Sequence, residues 1–240
     1  MPTSKAIAVV SGGLDSVTLA YLLRQEGYEL HLLSFDYGQR HSKELEYAEL
    51  CARRLHAAYD IIDLTSITRF LKGSALTDDI DVPDGHYAAP SMAITVVPNR
   101  NAIMLSVAYA AAVSERAHLV AVGVHAGDHF IYPDCRPGFI NAFDAMQQQA
   151  VEGMAEPGLR LYAPFMHLNK HEIVKIGTTL DVPYADTWSC YKGNEYHCGR
   201  CGTCVERKQA FRDAGVTDPT HYEDADYGLD PRFDFQEIER

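Results

Sequence analysis

Basic residues are in short supply: 21 Lys and Arg stand against 33 Asp and Glu, a formal net charge of −12. That balance argues against a general grip on nucleic acid, whose affinity comes from neutralising phosphates with cationic side chains. No run approaches the roughly 20 apolar residues needed to span a bilayer, so no membrane partner is expected. No basic leader with an apolar stretch precedes the first strand, and the expected compartment is the cytoplasm. Two common phosphate-binding patterns are missing, G-x-x-x-x-G-K-[ST] and G-x-G-x-x-G. Cysteine is scarce outside one stretch: of six, Cys190, Cys198, Cys201 and Cys204 lie close together. In a reducing compartment that grouping points to a metal rather than to disulfides.

What is present starts at the first strand. An apolar run over 6–10 ends in Ser11-Gly12-Gly13, and a helix-compatible run over 15–26 follows at once. Strand, tight turn and helix start make an anion cradle: glycines let the backbone approach a ligand, and the helix start offers unpaired N–H groups and a positive dipole end. The candidate nucleotide-binding stretch is Val10, Ser11, Gly12, Gly13, Leu14, Asp15, Ser16, Val17 and Thr18. Read structurally, the same residues are a glycine turn with a Ser/Asp helix cap.

Strand and helix patterns then alternate. Strands are expected over 29–35, 59–64, 119–123 and 159–164, and helices over 42–55, 101–115, from the 132–137 turn to about Met154, and over 169–180. The pattern predicts an α/β fold with a doubly wound, mostly parallel five-stranded sheet, its ligands beyond the carboxyl ends of the strands. The Ala-rich helix over 101–115 is apolar nearly all round and is expected to be buried. Residues 66–98 show no sustained period; part of this stretch is expected to form a lid or to be ordered by a partner subunit. The chain divides into 1–186 and a C-terminal region, 187–240, whose acidic end reads as a loosely packed tail or an oligomer contact.

Cys190, Cys198, Cys201 and Cys204 follow the pattern C-x7-C-x2-C-x2-C, with Gly199 and Gly202 inside the turns. Structural zinc takes four tetrahedral ligands, often all thiolate, and four protein ligands leave no place for catalytic water. One structural zinc per chain is therefore expected; an iron–sulfur cluster or a redox pair at Cys201 and Cys204 are the alternatives, and His197 is a rival ligand. Burial explains Cys51, whereas Cys135 suits packing or substrate contact equally.

The stretch Ser11-Gly12-Gly13-Leu14-Asp15-Ser16 resembles the pyrophosphate loop of the N-type ATP pyrophosphatases. Three further blocks resemble the 7-cyano-7-deazaguanine synthase family: Phe35-Asp36-Tyr37-Gly38-Gln39-Arg40-His41, Val97-Pro98-Asn99-Arg100-Asn101 and Tyr132-Pro133-Asp134-Cys135-Arg136. With the cysteine cluster, the resemblance covers 6–212; one departure is Asn99, where the family often has glycine. It implies an adenine nucleotide alpha hydrolase-like fold with a small zinc-binding helical appendage. It also implies an ATP-dependent ligase that turns 7-carboxy-7-deazaguanine and ammonia into a nitrile in queuosine biosynthesis, as a homodimer. By position, Asp15, Lys170 and Arg100 are the candidate catalytic residues, Asp15 helping to place Mg²⁺ with ATP. Residues around Phe35 to Gly38 are expected at the adenosine, and Asp128, Tyr132, Asp134 and Arg136 at the substrate. His125 and His129 are candidate proton shuttles. Two other classes fit parts of the pattern: a tRNA sulfur transferase on the same fold, and a zinc-knuckle binding module without catalysis.

Overall fold

The structure, a computed structural model, describes residues 4–229. Five strands make one sheet: β1 (Lys5–Val9), β2 (Glu29–Asp36), β3 (Ala58–Asp63), β4 (Leu119–Ala121) and β5 (Arg160–Tyr162), ordered β3-β2-β1-β4-β5. Every pairing is parallel, with Ala6 opposite Leu30 on one side and Leu119 on the other. The described residues also form six α-helices, besides short 3-10 turns: α1 (Leu14–Gln25), α2 (Glu44–Leu55), α3 (Arg100–Ser114), α4 (Pro137–Ala150), α5 (Lys170–Thr179) and α6 (Gly202–Ala214).

The two-residue period of β1 sorts the core into two layers. Ala6, Ala8 and Val10 pack with Leu19 of α1, Ala48 of α2, Ile173 of α5 and Phe211 of α6. Ile7 faces the other way, toward Leu105 and Tyr109 of α3 and Phe143 of α4. Strand order reverses between β1 and β4, so a crevice opens above their carboxyl ends. Gly123 lies where the chain leaves β4: a Cβ there would stand 3.3 Å from the Asp15 backbone, so α1 starts hard against this turn.

Three expectations are corrected. The helix over 101–115 is not buried all round: Ser106, Ala110 and Ser114 form an exposed stripe, because α3 belongs to an outer layer and needs only one apolar face. Residues 66–98 are packed rather than loose, with Leu71, Leu76, Tyr87, Met92 and Val97 buried in the α3-side core. The acidic C-terminal stretch is not loosely packed over 217–229. Arg207, 1% exposed, reaches Asp218 at 3.3 Å, and Lys208 Nζ donates to the carbonyls of Gly199, Asp224, Ala225 and Tyr227 at 2.7, 3.1, 3.2 and 2.6 Å. Two buried cations thus tie this stretch down; the rest of it, 230–240, lies outside the described residues. Among the described residues no helix is long and apolar enough to cross a membrane.

Candidate active site

The crevice above β1 and β4 is a cleft built around the Ser11 turn. Gly12 has φ +81, and a Cβ there would come within 2.3 Å of the Glu44 carbonyl; the turn therefore needs glycine both for its conformation and for its approach to α2. Gly13 is the N-cap of α1 and brings no side chain to cap it, so the first-turn N–H groups face the cleft without a side-chain cap. Ser16 Oγ accepts from Ser11 N and donates to Gly13 O, both at 3.2 Å, which fixes the loop's shape.

Lys170, the first residue of α5, projects beside this loop. Its helix start is held by a capping box between Asn169 and Glu172. Its ammonium lies 3.3 Å from Asp15 Oδ2 and is paired with Glu206 of α6. Burial works against that charge, and the carboxylates of Asp15, Glu206 and Asp128 overcome it, pushing the pKa well above the ordinary lysine value. Burial also opposes the charge on Asp128. His125, Lys170, the His125 backbone N–H and the Tyr87 hydroxyl, which donates to Oδ1 at 2.9 Å, together hold that carboxyl below its usual range.

Arg100, at the start of α3, lines the same cleft. Its guanidinium donates to the Tyr37 hydroxyl at 3.2 Å and has no carboxylate ion-pair partner among the described residues. A guanidinium left without a counter-ion in a cleft is suited to an anionic group of a ligand. Asn99, just before it, has φ 58, a left-handed conformation that asparagine tolerates better than most side chains.

Of the residues singled out from sequence, Val10, Ser11, Gly13, Leu14, Asp15, Ser16, Arg100, Asp128, Tyr132 and Lys170 line one cleft. Gly12, Val17 and Thr18 shape it from behind; Thr18 donates to Leu14 O and meets the Tyr184 hydroxyl. Asp134 and Arg136 stand outside. The Asp134 carboxylate accepts from Asn101 N at 3.0 Å at the start of α3, and Arg136 Nε donates to the His129 carbonyl at 2.9 Å. His125 is buried with Nε2 3.5 Å from Asp128 Oδ1, and neither it nor His129 lines the cleft. Sequence reading missed Glu206, Tyr87, Tyr191 and the His41–Glu44 pair. Only the pair carried a local signal, an H-x-x-E spacing that sets both side chains on one helix-start face.

That pair titrates unusually. Burial pushes Glu44 up to about 8, with Arg100 and the Gln39 hydrogen bond pulling the other way. Burial, then the charge of Arg100, pushes His41 down to about 3. Between 4.5 and about 8 the folded protein keeps a proton on Glu44 that the unfolded chain has released, so stability falls as pH rises. Between 6.5 and about 3 the unfolded chain takes a proton on His41 that the folded protein refuses, so stability falls as pH falls. The two oppose each other at mildly acidic pH, and Glu44 acts alone above 6.5. Urea melts from pH 6.5 to 8 are expected to lose on the order of 2 kcal/mol from this group, and Glu44→Gln to flatten that slope. An unchanged slope in the variant would mean that Glu44 is already ionised.

The four cysteines converge at the start of α6. Their sulfurs lie within 4.8 Å of one another, all buried and none in a disulfide. Tetrahedral thiolate ligation with metal–sulfur bonds of about 2.3 Å needs sulfurs roughly 3.8 Å apart; the Cys198–Cys204 separation is 4.0 Å. Arg200 N and Cys201 N point at Cys198 Sγ at 3.4 and 3.3 Å, donors that favour thiolate. The group is thus able to hold a metal ion. His197 is not a fifth candidate: its Nε2 accepts from Ser189 N at 3.0 Å.

Residues 5–215 match the family described as "Queuosine biosynthesis protein QueC". The chain is 60% identical over 223 residues to the 7-cyano-7-deazaguanine synthase of Brucella anthropi, covering 93% of this chain and 95% of that one. A synthase of the same name from Rhizobium rhizogenes is also 60% identical, covering 93% and 94%. Among solved structures, the NMN synthetase of Francisella tularensis shares the fold at a TM-score of 0.53 and 16% identity, over 90% of this chain and 79% of that one.

Proposed function

The chain belongs to the QueC family of queuosine biosynthesis proteins, and from that premise we propose that it makes 7-cyano-7-deazaguanine from 7-carboxy-7-deazaguanine and ammonia at the expense of ATP. The observation that carries the reading is the pairing, in one cleft, of an uncapped helix start and Lys170 with a second cationic wall at Arg100.

A carboxylate resists attack by ammonia because its leaving group would be oxide. Transfer of AMP onto that oxygen supplies a good leaving group and releases pyrophosphate; ammonia then displaces AMP to give the amide. A second adenylation, on the amide oxygen, lets AMP depart again while nitrogen loses its protons, leaving the nitrile. What the protein must supply is alignment and charge neutralisation. In this reading the Ser11–Ser16 loop and Lys170 hold the pyrophosphate, and Arg100 steers an anionic oxygen of the substrate. Asp128 and Tyr132 belong to the substrate wall, and Asp134 and Arg136 act by holding the start of α3 and the turn before α4. Mg²⁺ carried by ATP fits Asp15, whose Oδ1 is buried without a hydrogen-bond partner among the described residues. Cys190, Cys198, Cys201 and Cys204 would hold a zinc ion that pins the turns between Trp188 and the start of α6 to one another, a structural role with no part in bond making. A homodimer acting in the cytoplasm, with no nucleic acid or membrane partner, completes the reading.

Sulfur transfer is disfavoured by Cys135: burial pushes its thiol pKa up and its Sγ accepts from Asn101 Nδ2, a poor setting for a nucleophile. The test is a coupled assay for AMP and nitrile with the deazaguanine acid, with and without ammonium. AMP release that depends on the acid, with nitrile only when ammonium is present, is the expected result. No AMP from metal-replete protein would reject the proposal.

A further inference from the structure

The cleft holds one carboxyl that the chemistry above leaves idle. Asp15 and Glu206 are engaged by Lys170, and Asp128 accepts from Tyr87 and from His125 N. Glu44 has only long contacts: Gln39 Nε2 at 3.3 Å on Oε1, and His41 Nε2 at 3.4 Å from Oε2. Beside it, His41 is 3% exposed and its Nδ1 is buried with no partner among the described residues. Glu44 and Arg100 both line the cleft, and the guanidinium's charge acts on the carboxyl, yet the two form no ion pair among the described residues. Aromatic rings border the same recess: Tyr37, Tyr191, Trp188 and Tyr132. Burial pushes the Tyr37 phenol up to about 12 and the Tyr191 phenol well above its ordinary value, so both stay neutral.

A carboxyl and a guanidinium lining one recess, not paired with each other and bordered by neutral rings, are complementary to one heterocyclic edge. A 2-amino-6-oxo purine-like ring presents two parallel donors, N1–H and the 2-amino group, next to the 6-oxo acceptor. A carboxylate accepts both donors at once, so binding of the base releases the proton that burial otherwise keeps on Glu44, and the Arg100 guanidinium donates to the oxo group. In a 7-carboxy-7-deazapurine the acid oxygen sits next to the 6-oxo group, so the same guanidinium reaches both.

We infer that Glu44 and Arg100 read the base of the substrate, Glu44 accepting from N1–H and the 2-amino group and Arg100 donating to the 6-oxo oxygen and the neighbouring carboxylate. The inference rests on the proposed deazaguanine acid substrate and assigns its specificity to a pair that lies outside the phosphate loop. A site built to accept hydrogen bonds rejects an analogue lacking the donor, because its own polar groups are then left unmet.

The test compares 7-carboxy-7-deazaguanine with the analogue lacking the 2-amino group, on wild type, Glu44→Ala and Glu44→Gln. Wild type is expected to prefer the amino substrate by roughly 10- to 100-fold in kcat/KM. In Glu44→Ala the preference collapses toward parity while KM for ATP stays within about twofold. A preference that survives in a folded Glu44→Ala protein, or an equal loss on both acids with a matching rise in KM for ATP, overturns the assignment. If the alanine variant does not fold, the isosteric Glu44→Gln carries the comparison. Wild type that turns over both acids equally overturns it without any variant. Absence of AMP from wild type with either acid is a different outcome: it rejects the substrate reading itself.

Discussion

With the proposed zinc bound, stripping it from the four-cysteine centre under reducing conditions is expected to unfold the C-terminal half of the cleft, not the cysteine turns alone. A structural zinc contributes on the order of 10 kcal/mol in small zinc domains, comparable with the whole stability of a domain this size. Here the turns also anchor the 66–98 segment. Asp84 takes Lys192 Nζ at 2.6 Å and Arg200 Nε at 3.0 Å, Gly85 N donates to the Arg200 carbonyl at 3.0 Å, and Met92 packs against Gly202. That segment delivers Tyr87 to Asp128. The buried Trp188, the one tryptophan of the chain, donates its Nε1–H to the Cys190 carbonyl at 2.9 Å and so reports on the centre directly. Chelation, or Cys204→Ala, should shift its emission to the red. A loss of about 5 kcal/mol would lower the melting temperature by roughly 10–20 °C for a chain of this length. Metal-free protein with an unchanged melt and unchanged emission would reduce the cysteines to packing.

The parts of the site that were legible in the sequence are those whose meaning is local. Ser11 to Ser16 can be read because a turn and a helix start are set by neighbours in the chain, and the cysteine turns because ligand spacing is itself local. The resemblance of the 35–41, 97–101 and 132–136 blocks brought Arg100 and Tyr132 to the cleft wall, although Asp134 of the same block spends its carboxylate on the start of α3. Glu206 could not be read this way. It is a mid-helix glutamate on α6, and only the packing of α6 against α5 brings it to Lys170. Tyr87 hides in a segment without periodicity, which settles through buried side chains rather than repeating backbone structure. The acidic C-terminal stretch misled because charge on its own reads as solvated surface; buried Arg207 and Lys208, on a helix with scarcely any apolar face, are what it packs against.

Replacing Lys170 by methionine should damage both stability and chemistry, and the two losses are separable. The ammonium is set among Asp15, Glu206 and Asp128, and it also lies over the Tyr87 ring at 5.5 Å. Removing one partner of a buried charged cluster typically costs about 3–5 kcal/mol, because the remaining charges are left without compensation. Glu206 then holds its proton more firmly: burial already raises its pKa, and the ammonium that opposes the rise is gone. The double variant Lys170→Met with Glu206→Gln removes the unpaired charge along with the cation and should recover most of the melting temperature. Its AMP formation should not recover. A cation facing developing phosphate charge in a dry cleft is worth about 10²- to 10³-fold in rate, and neither methionine nor glutamine supplies one. Stability restored with activity still lost in the double variant assigns Lys170 to the phosphates. Wild-type AMP release from that variant would leave Lys170 only the task of balancing Asp15 and Glu206.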